Sequence, residues 1–219
     1  MHPYTEAVPK PMLEVAGKPI LYWLVMQLKA AGIKEVVLME GYLAHIIREY
    51  FDTSDDWGVK ITHIIDKHPN QGMAELVKLA AASPNGEITD DALIMAGDTL
   101  IGVDYKELIN FHKSKGAGVT VVGRRERLSH GIFTLNSNAQ VTSVEEKPSV
   151  IMPTASMLVS KDILRNIDEK GDFFLNVAPY IEKDGYLFEV DADEVIHVSE
   201  RRDDLAVANI RWKGLKQQA

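Results

Sequence analysis

Apolar residues at Ile20, Leu21, Leu24, Val25 and Leu28 fall on one helical face, and Gly32 follows as a stop, so the spacing predicts an amphipathic helix over residues 18–31. The run EVVLM at 35–39 reads as a buried strand. A second helix is expected near 42–51, ahead of the alternating strand VKITHII at 59–65, and a third near 72–82, ahead of the strand ALIMA at 92–96. Asp104, with Glu107 three positions on, has capping-box spacing and opens a helix to about 115, after which GVTVVG at 118–123 reads as another strand. Alternation of this kind predicts βαβ units with right-handed crossovers and ligands gathered at the C-terminal ends of the strands.

The rhythm changes after 124. GIFTL and QVTSVEE flank the turn residues Asn136, Ser137 and Asn138, a hairpin signature. Residues 155–159 read as a strand, 161–169 and 173–183 as helices, 186–190 and 194–198 as short strands, and 203–213 as a closing helix. With no repeat, low-complexity tract or linker in the sequence, one continuous domain over 1–219 is expected, with the hairpin as a lobe on it.

Composition narrows the classes. The 219 residues are 46% hydrophobic, enough for one substantial core. A formal net charge of −8 and a pI near 5.4 argue against a nucleic-acid surface, so an anionic ligand has to be met by a few placed cations and backbone N–H groups. The sequence has no cysteine, which excludes disulfides and thiolate chemistry and fits a reducing cytoplasm. The seven histidines show no HxH or HExxH spacing, and none is assigned to a metal. No leader pattern and no run of about 18 apolar residues occurs, so a cytoplasmic protein with no membrane partner is expected. Trp23, Trp57 and Trp212 read as packing residues.

Four stretches could carry chemistry. In ALIMAGDTL, Asp98 directly follows an apolar strand and Gly97 removes the side chain before it, an arrangement suited to holding Mg²⁺ against phosphates, although Gly-Asp is also ordinary turn chemistry. In EEKP at 145–148, Lys147 is suited to neutralising a phosphate while Glu146 accepts from hydroxyls; a solvated strand end is the plainer alternative. In PKPMLEVAGKPI, Pro9 and Pro11 stiffen the backbone around Lys10, a suitable phosphate clamp or simply a proline-rich loop. In QGMAEL, Gly72 at a helix start would let a flat base approach backbone N–H groups, and a plain helix start explains it equally well.

Taken in order, these stretches resemble the sugar-phosphate nucleotidylyltransferases, which make NDP-sugars from an NTP and a sugar 1-phosphate. Residues 2–20 are similar to the second half of that family's opening signature, P-x-T-x-x-x-P-K-P-M-L-x-V-x-G-K-P, and the similarity extends to DLAVAN at 204–209. The resemblance implies a mixed, mainly parallel Rossmann-like α/β sheet flanked by helices, with a β-hairpin sugar-binding lobe, residues 1–124 forming a nucleotide-binding half and 125–219 a sugar-phosphate-binding half. It implies that Lys10 binds phosphates, Asp98 holds Mg²⁺, Gly72 lies by the base, and Gly131, Glu146 and Lys147 bind the sugar phosphate, with Lys10, Asp98 and Lys147 converging over one crevice. The implied reaction is attack of the sugar-phosphate oxygen on the NTP α-phosphorus with release of pyrophosphate.

The chain departs from the family pattern in places. The strand and glycine-rich loop that precede the Pro-Lys-Pro loop in the family have no counterpart in the sequence, so a rearranged sheet, a swapped partner strand or an upstream segment is expected to fill that place, and a homo-oligomer is among the expected states. His197 or Val198 stands where the family carries a second metal-binding Asp, Lys67 stands where a base-contacting Gln is expected, and FFLNV at 173–177 is the nearest match to a sugar-contacting E-x-T-D element. A second reading is therefore kept: a catalytically degenerate relative that binds nucleotide or NDP-sugar in a regulatory role. A glycosyltransferase would want D-x-D at a strand end, where this chain has Asp98-Thr99-Leu100, and a dinucleotide dehydrogenase would want G-x-G-x-x-G, which does not occur.

Overall fold

Pro9 stands at the N-cap of a single 3-10 turn, Lys10–Met12, with Pro11 inside it, and the short strands β1 (Glu14–Val15) and β2 (Lys18–Pro19) lead into helix α1 (Ile20–Ala30). α1 buries Ile20, Leu21, Leu24, Val25 and Leu28, the face its spacing predicts, and the chain turns after it through Gly32 at φ +85°. The computed structural model describes residues 5–53, 56–66, 73–82, 90–168, 170–198 and 203–212.

The first half alternates as expected through β3 (Glu35–Glu40), α2 (Ala44–Phe51), β4 (Lys60–Ile65), α3 (Met73–Ala82) and β5 (Ala92–Met95), and a short strand outside the expected series, β6 (Thr99–Ile101), precedes α4 (Tyr105–Lys115). The Asp104 side chain accepts hydrogen bonds from the N–H groups of Lys106 and Glu107, so the predicted cap is formed. α2 starts two residues later than its pattern suggests, because Leu43 adopts a left-handed conformation at φ +53°.

The second half comprises β7 (Val119–Arg127), β8 (Ile132–Leu135), β9 (Val141–Glu145), β10 (Ser149–Val159), α5 (Lys161–Asn166), α6 (Phe173–Asp184), β11 (Gly185–Val190), β12 (Val195–His197) and α7 (Asp204–Arg211). Two strands outrun their expected limits. β7 continues four residues past Gly123 into Arg124–Arg127, and β10 begins at Ser149 instead of 155, each pairing with the other along this added length. Charge in one and Pro153 in the other hid the extension; the ladder accommodates the proline at a register shift between Pro153 and Ser156, where Ala155 takes φ +56° and the Thr154 hydroxyl donates to the Val122 carbonyl at 2.9 Å. The hairpin β8–β9 follows this extended ribbon, its strands fully solvent-facing apart from Ser143.

The sheet is mixed. Its order is β11-β7-β10-β5, with β7 and β11 parallel and β10 antiparallel to both neighbours. β3 and β4 form a separate parallel pair, and β6 and β12 an antiparallel one. Val36 and Leu38 of β3 enter a core with α1 and α2 against which Leu93 and Met95 of β5 also pack, while Met39, Ala92 and Ile94 pack into a second core around Val77, Leu164 and Phe173. β3 and β5 therefore separate the same two cores, yet no ladder joins them among the described residues. The tryptophans pack as read: Trp23 meets Trp212 edge-on at 6.1 Å, and Trp57 lies 5.0 Å from Phe51.

Candidate functional site

A cavity of about 630 Å³ opens where β3 and β5 end, with Met39, Glu40 and Gly41 on one wall and Gly97 and Asp98 on the other. The turn carrying Lys10 forms a third wall. It comes close because Gly97 has no side chain: a Cβ there would stand 3.2 Å from Pro11 Cγ. The Pro-Lys-Pro loop packs beside Gly97, and Gly97 lines the cavity together with Lys10 and Asp98. Lys10 is solvent-exposed and Asp98 half-buried.

Asp98 is held by its neighbours. The Thr99 hydroxyl donates to Asp98 Oδ1 at 3.4 Å, and the Val198 N–H donates to the Asp98 carbonyl at 3.2 Å. β12 runs antiparallel to β6 in a register that pairs His197 with Thr99, and His197 Nδ1 lies 3.0 Å from Thr99 Oγ1. The two positions singled out in place of a second metal carboxylate therefore do lie beside Asp98, and neither brings an acid.

Gly131, Glu146 and Lys147 make a second group on the hairpin. Gly131 precedes β8, while Glu146 and Lys147 follow β9, and a Cβ on Gly131 would stand 3.0 Å from Glu146 Oε2 and 3.2 Å from the Glu145 carbonyl. Lys147 takes φ +48°, with Nζ 4.0 Å from Glu146 Oε1 and its carbonyl accepting from Arg127 Nε at 3.3 Å. All three are exposed, and none lines the cavity that Lys10 and Asp98 share. The five described candidates thus form two groups, and the Lys147 ammonium is not brought into the cavity with the other two. Gly72 and Lys67 lie outside the described residues.

One residue of the cavity escaped the sequence reading. Glu40 ends β3 on the same face as Val36 and Leu38, and its side chain is only 1% exposed. Its Oε1 lies 2.5 Å from His63 Nδ1, and His63 Nε2 lies 3.3 Å from Asp52 Oδ1, while Glu40 Oε2 has no hydrogen-bond partner among the described residues. Burial raises the Glu40 pKa above its ordinary value, against the pull of the His63 hydrogen bond and charge. The only mark of Glu40 in the sequence is an acid at the end of an apolar run.

The sequence profile of the family described as "Nucleotidyl transferase" matches residues 1–197. The chain belongs to that family. Among its relatives in this family, it is 27% identical over 163 residues to a UTP–glucose-1-phosphate uridylyltransferase from Synechocystis sp., covering 68% of this chain and 42% of the relative. It is 33% identical over 121 residues to a mannose-1-phosphate guanylyltransferase from Mycobacterium tuberculosis, covering 55% of this chain and 33% of the relative. The chain thus spans less than half the length of these curated relatives. The fold is shared with HddC from Yersinia pseudotuberculosis, solved in complex with GMP-PN, at a TM-score of 0.71 and 22% identity over 94% of this chain and 91% of that one. A putative glucose-1-phosphate thymidylyltransferase from Bacillus anthracis has the same fold at a TM-score of 0.73 and 17% identity, over 96% and 89% of the two chains. Among the described residues, no helix of this family member is long and apolar enough to cross a membrane.

Proposed function

We propose that the chain transfers a nucleotidyl group from an NTP to a sugar 1-phosphate, giving an NDP-sugar and pyrophosphate. The observation that carries this reading is the meeting of Lys10 and Asp98, distant in sequence, on one cavity at the C-terminal ends of two strands. Lys10, a donor-only cation on a proline-stiffened turn, neutralises the triphosphate. Asp98 offers the hard carboxylate oxygen that Mg²⁺ takes alongside phosphate oxygens and water; bound there, Mg²⁺ would withdraw charge from the phosphates.

Among the described residues no group of three His, Asp or Glu converges as a metal cage, which suits a cation shared with its substrate more than a resident one. The family resemblance alone assigns Gly131, Glu146 and Lys147, on the hairpin outside that cavity, to the sugar phosphate and Gly72 to the base. An oxygen of the sugar phosphate bonds to the α-phosphorus as the bond from that phosphorus to the pyrophosphate oxygen breaks. The attacking oxygen is already anionic, so orientation and charge neutralisation matter more than a general base.

One observation favours the second reading, a binding protein without turnover: His197 and Val198 stand beside Asp98 and supply no second carboxylate. Calorimetry with each NTP and Mg²⁺, run alongside a pyrophosphate-release assay with sugar 1-phosphates, separates the two. Release that falls at least about tenfold in Asp98→Asn and Lys10→Ala supports transfer. Nucleotide or NDP-sugar binding without release supports the binding role, and no binding by the native chain overturns both.

A further inference from the structure

We infer that Glu40 is a ligand-contacting residue of the cavity, its unpartnered Oε2 accepting a hydrogen bond from a hydroxyl of the bound nucleotide or sugar phosphate. The inference rests on the functional reading above and adds to it a third recognition element, one that contributes neither charge neutralisation nor a metal ligand.

The geometry is that of an oriented acceptor. The β3–β4 register sets His63 opposite Leu38, two residues before Glu40, and His63 reaches across to fix Glu40 Oε1. His63 is in turn held from its other nitrogen by Asp52, the residue just after α2. Carboxylate, imidazole and carboxylate thus form a chain that leaves a single freedom, the second oxygen of Glu40. That oxygen is buried without a partner, and Glu40 lines the same cavity as Lys10, Asp98 and Ile47. A buried carboxylate oxygen with no donor has lost the solvation it had in water, and a donor arriving with a ligand restores it.

The cavity's chemistry narrows the donor. Lys10 matches phosphate, and Asp98 matches a cation. What then remains polar on both proposed substrates is hydroxyl, and a carboxylate at the end of a strand is the natural acceptor for it. Burial raises the Glu40 pKa, and a hydroxyl suits this as well, since it can hydrogen-bond to either protonation state.

The test uses the full chain in calorimetry with the four ribonucleoside triphosphates and Mg²⁺, their 2′-deoxy and 3′-deoxy counterparts, and glucose 1-phosphate against 2-deoxyglucose 1-phosphate. One deoxy substitution is expected to weaken binding to the native chain about tenfold, as befits a hydrogen bond to a charged group, and Glu40→Leu, which has no acceptor, to abolish that difference. The series that shows the loss identifies the source, ribose or pyranose. Binding by the native chain with no discrimination in any series overturns the inference and leaves the functional reading standing, and this measurement does not depend on the variant folding. Equal discrimination in the native and Glu40→Leu proteins likewise overturns it. Failure of the native chain to bind any of these compounds overturns the functional reading and the inference together.

Discussion

Gly97 leaves room for the Pro11 ring and little more: a methyl group on Gly97 would stand 3.2 Å from it, so the absence of a side chain after β5 lets the Pro-Lys-Pro turn settle beside Asp98. The contact couples two loops that supply the cavity's cation and its carboxylate. Gly97→Val should displace the turn, costing about 1–3 kcal/mol of stability through overpacking. Thermal unfolding measures that cost, and calorimetry should show NTP affinity falling to the level of Lys10→Ala.

Gly131 and Glu146 offer a contrast. A Gly131 Cβ would meet the far end of the exposed Glu146 side chain at 3.0 Å, which can move aside, and the Glu145 backbone carbonyl at 3.2 Å, which must yield by a few tenths of an ångström. Gly131→Ala should therefore cost about 0.5–1 kcal/mol of stability, while sugar 1-phosphate affinity falls because Glu146 is moved. A melting curve and a sugar-phosphate titration on the same sample would show whether these two effects separate.

Leu100 lies two residues after Asp98, is fully buried, and packs in the core with α1 and α2. Leu100→Ala should cost about 2–5 kcal/mol, read from urea unfolding, and in protein that remains folded the Mg²⁺-dependent NTP affinity should also drop as the end of β6 shifts.

His112 is buried on α4, with Nδ1 2.8 Å from the Thr120 hydroxyl and Nε2 3.5 Å from Asp91 Oδ2. Burial lowers its pKa from the ordinary 6.5; Asp91 pulls it up, and Lys113 pushes it further down. A depressed folded-state pKa stabilises above the unfolded value and loses that contribution as pH falls, so His112 should weaken the fold progressively below about pH 6.5. Melting temperatures taken from pH 7.5 down to 5 should fall more steeply in the native protein than in His112→Gln.

Periodicity determined α1, β3 and β4, because the period of apolar burial depends only on local chain geometry, while capping chemistry marked the Asp104 cap and turn residues the β8–β9 hairpin. The loop signatures likewise singled out Lys10, Asp98, Glu146 and Lys147, since proline, glycine and strand-end acids mark special backbone wherever they occur, and the family resemblance added Gly131. Tertiary structure decided what depends on partners. The added lengths of β7 and β10 exist because each satisfies the other's backbone groups, overriding Pro153 and the charged run. The division of the candidates into a cavity pair and a hairpin group is set by how loops pack at the sheet's end, which no spacing encodes. Glu40 was invisible as a site because an acid ending an apolar run gives no sign, in sequence, of which of its oxygens finds a donor; only the register that brings His63 to one oxygen leaves the other without a partner.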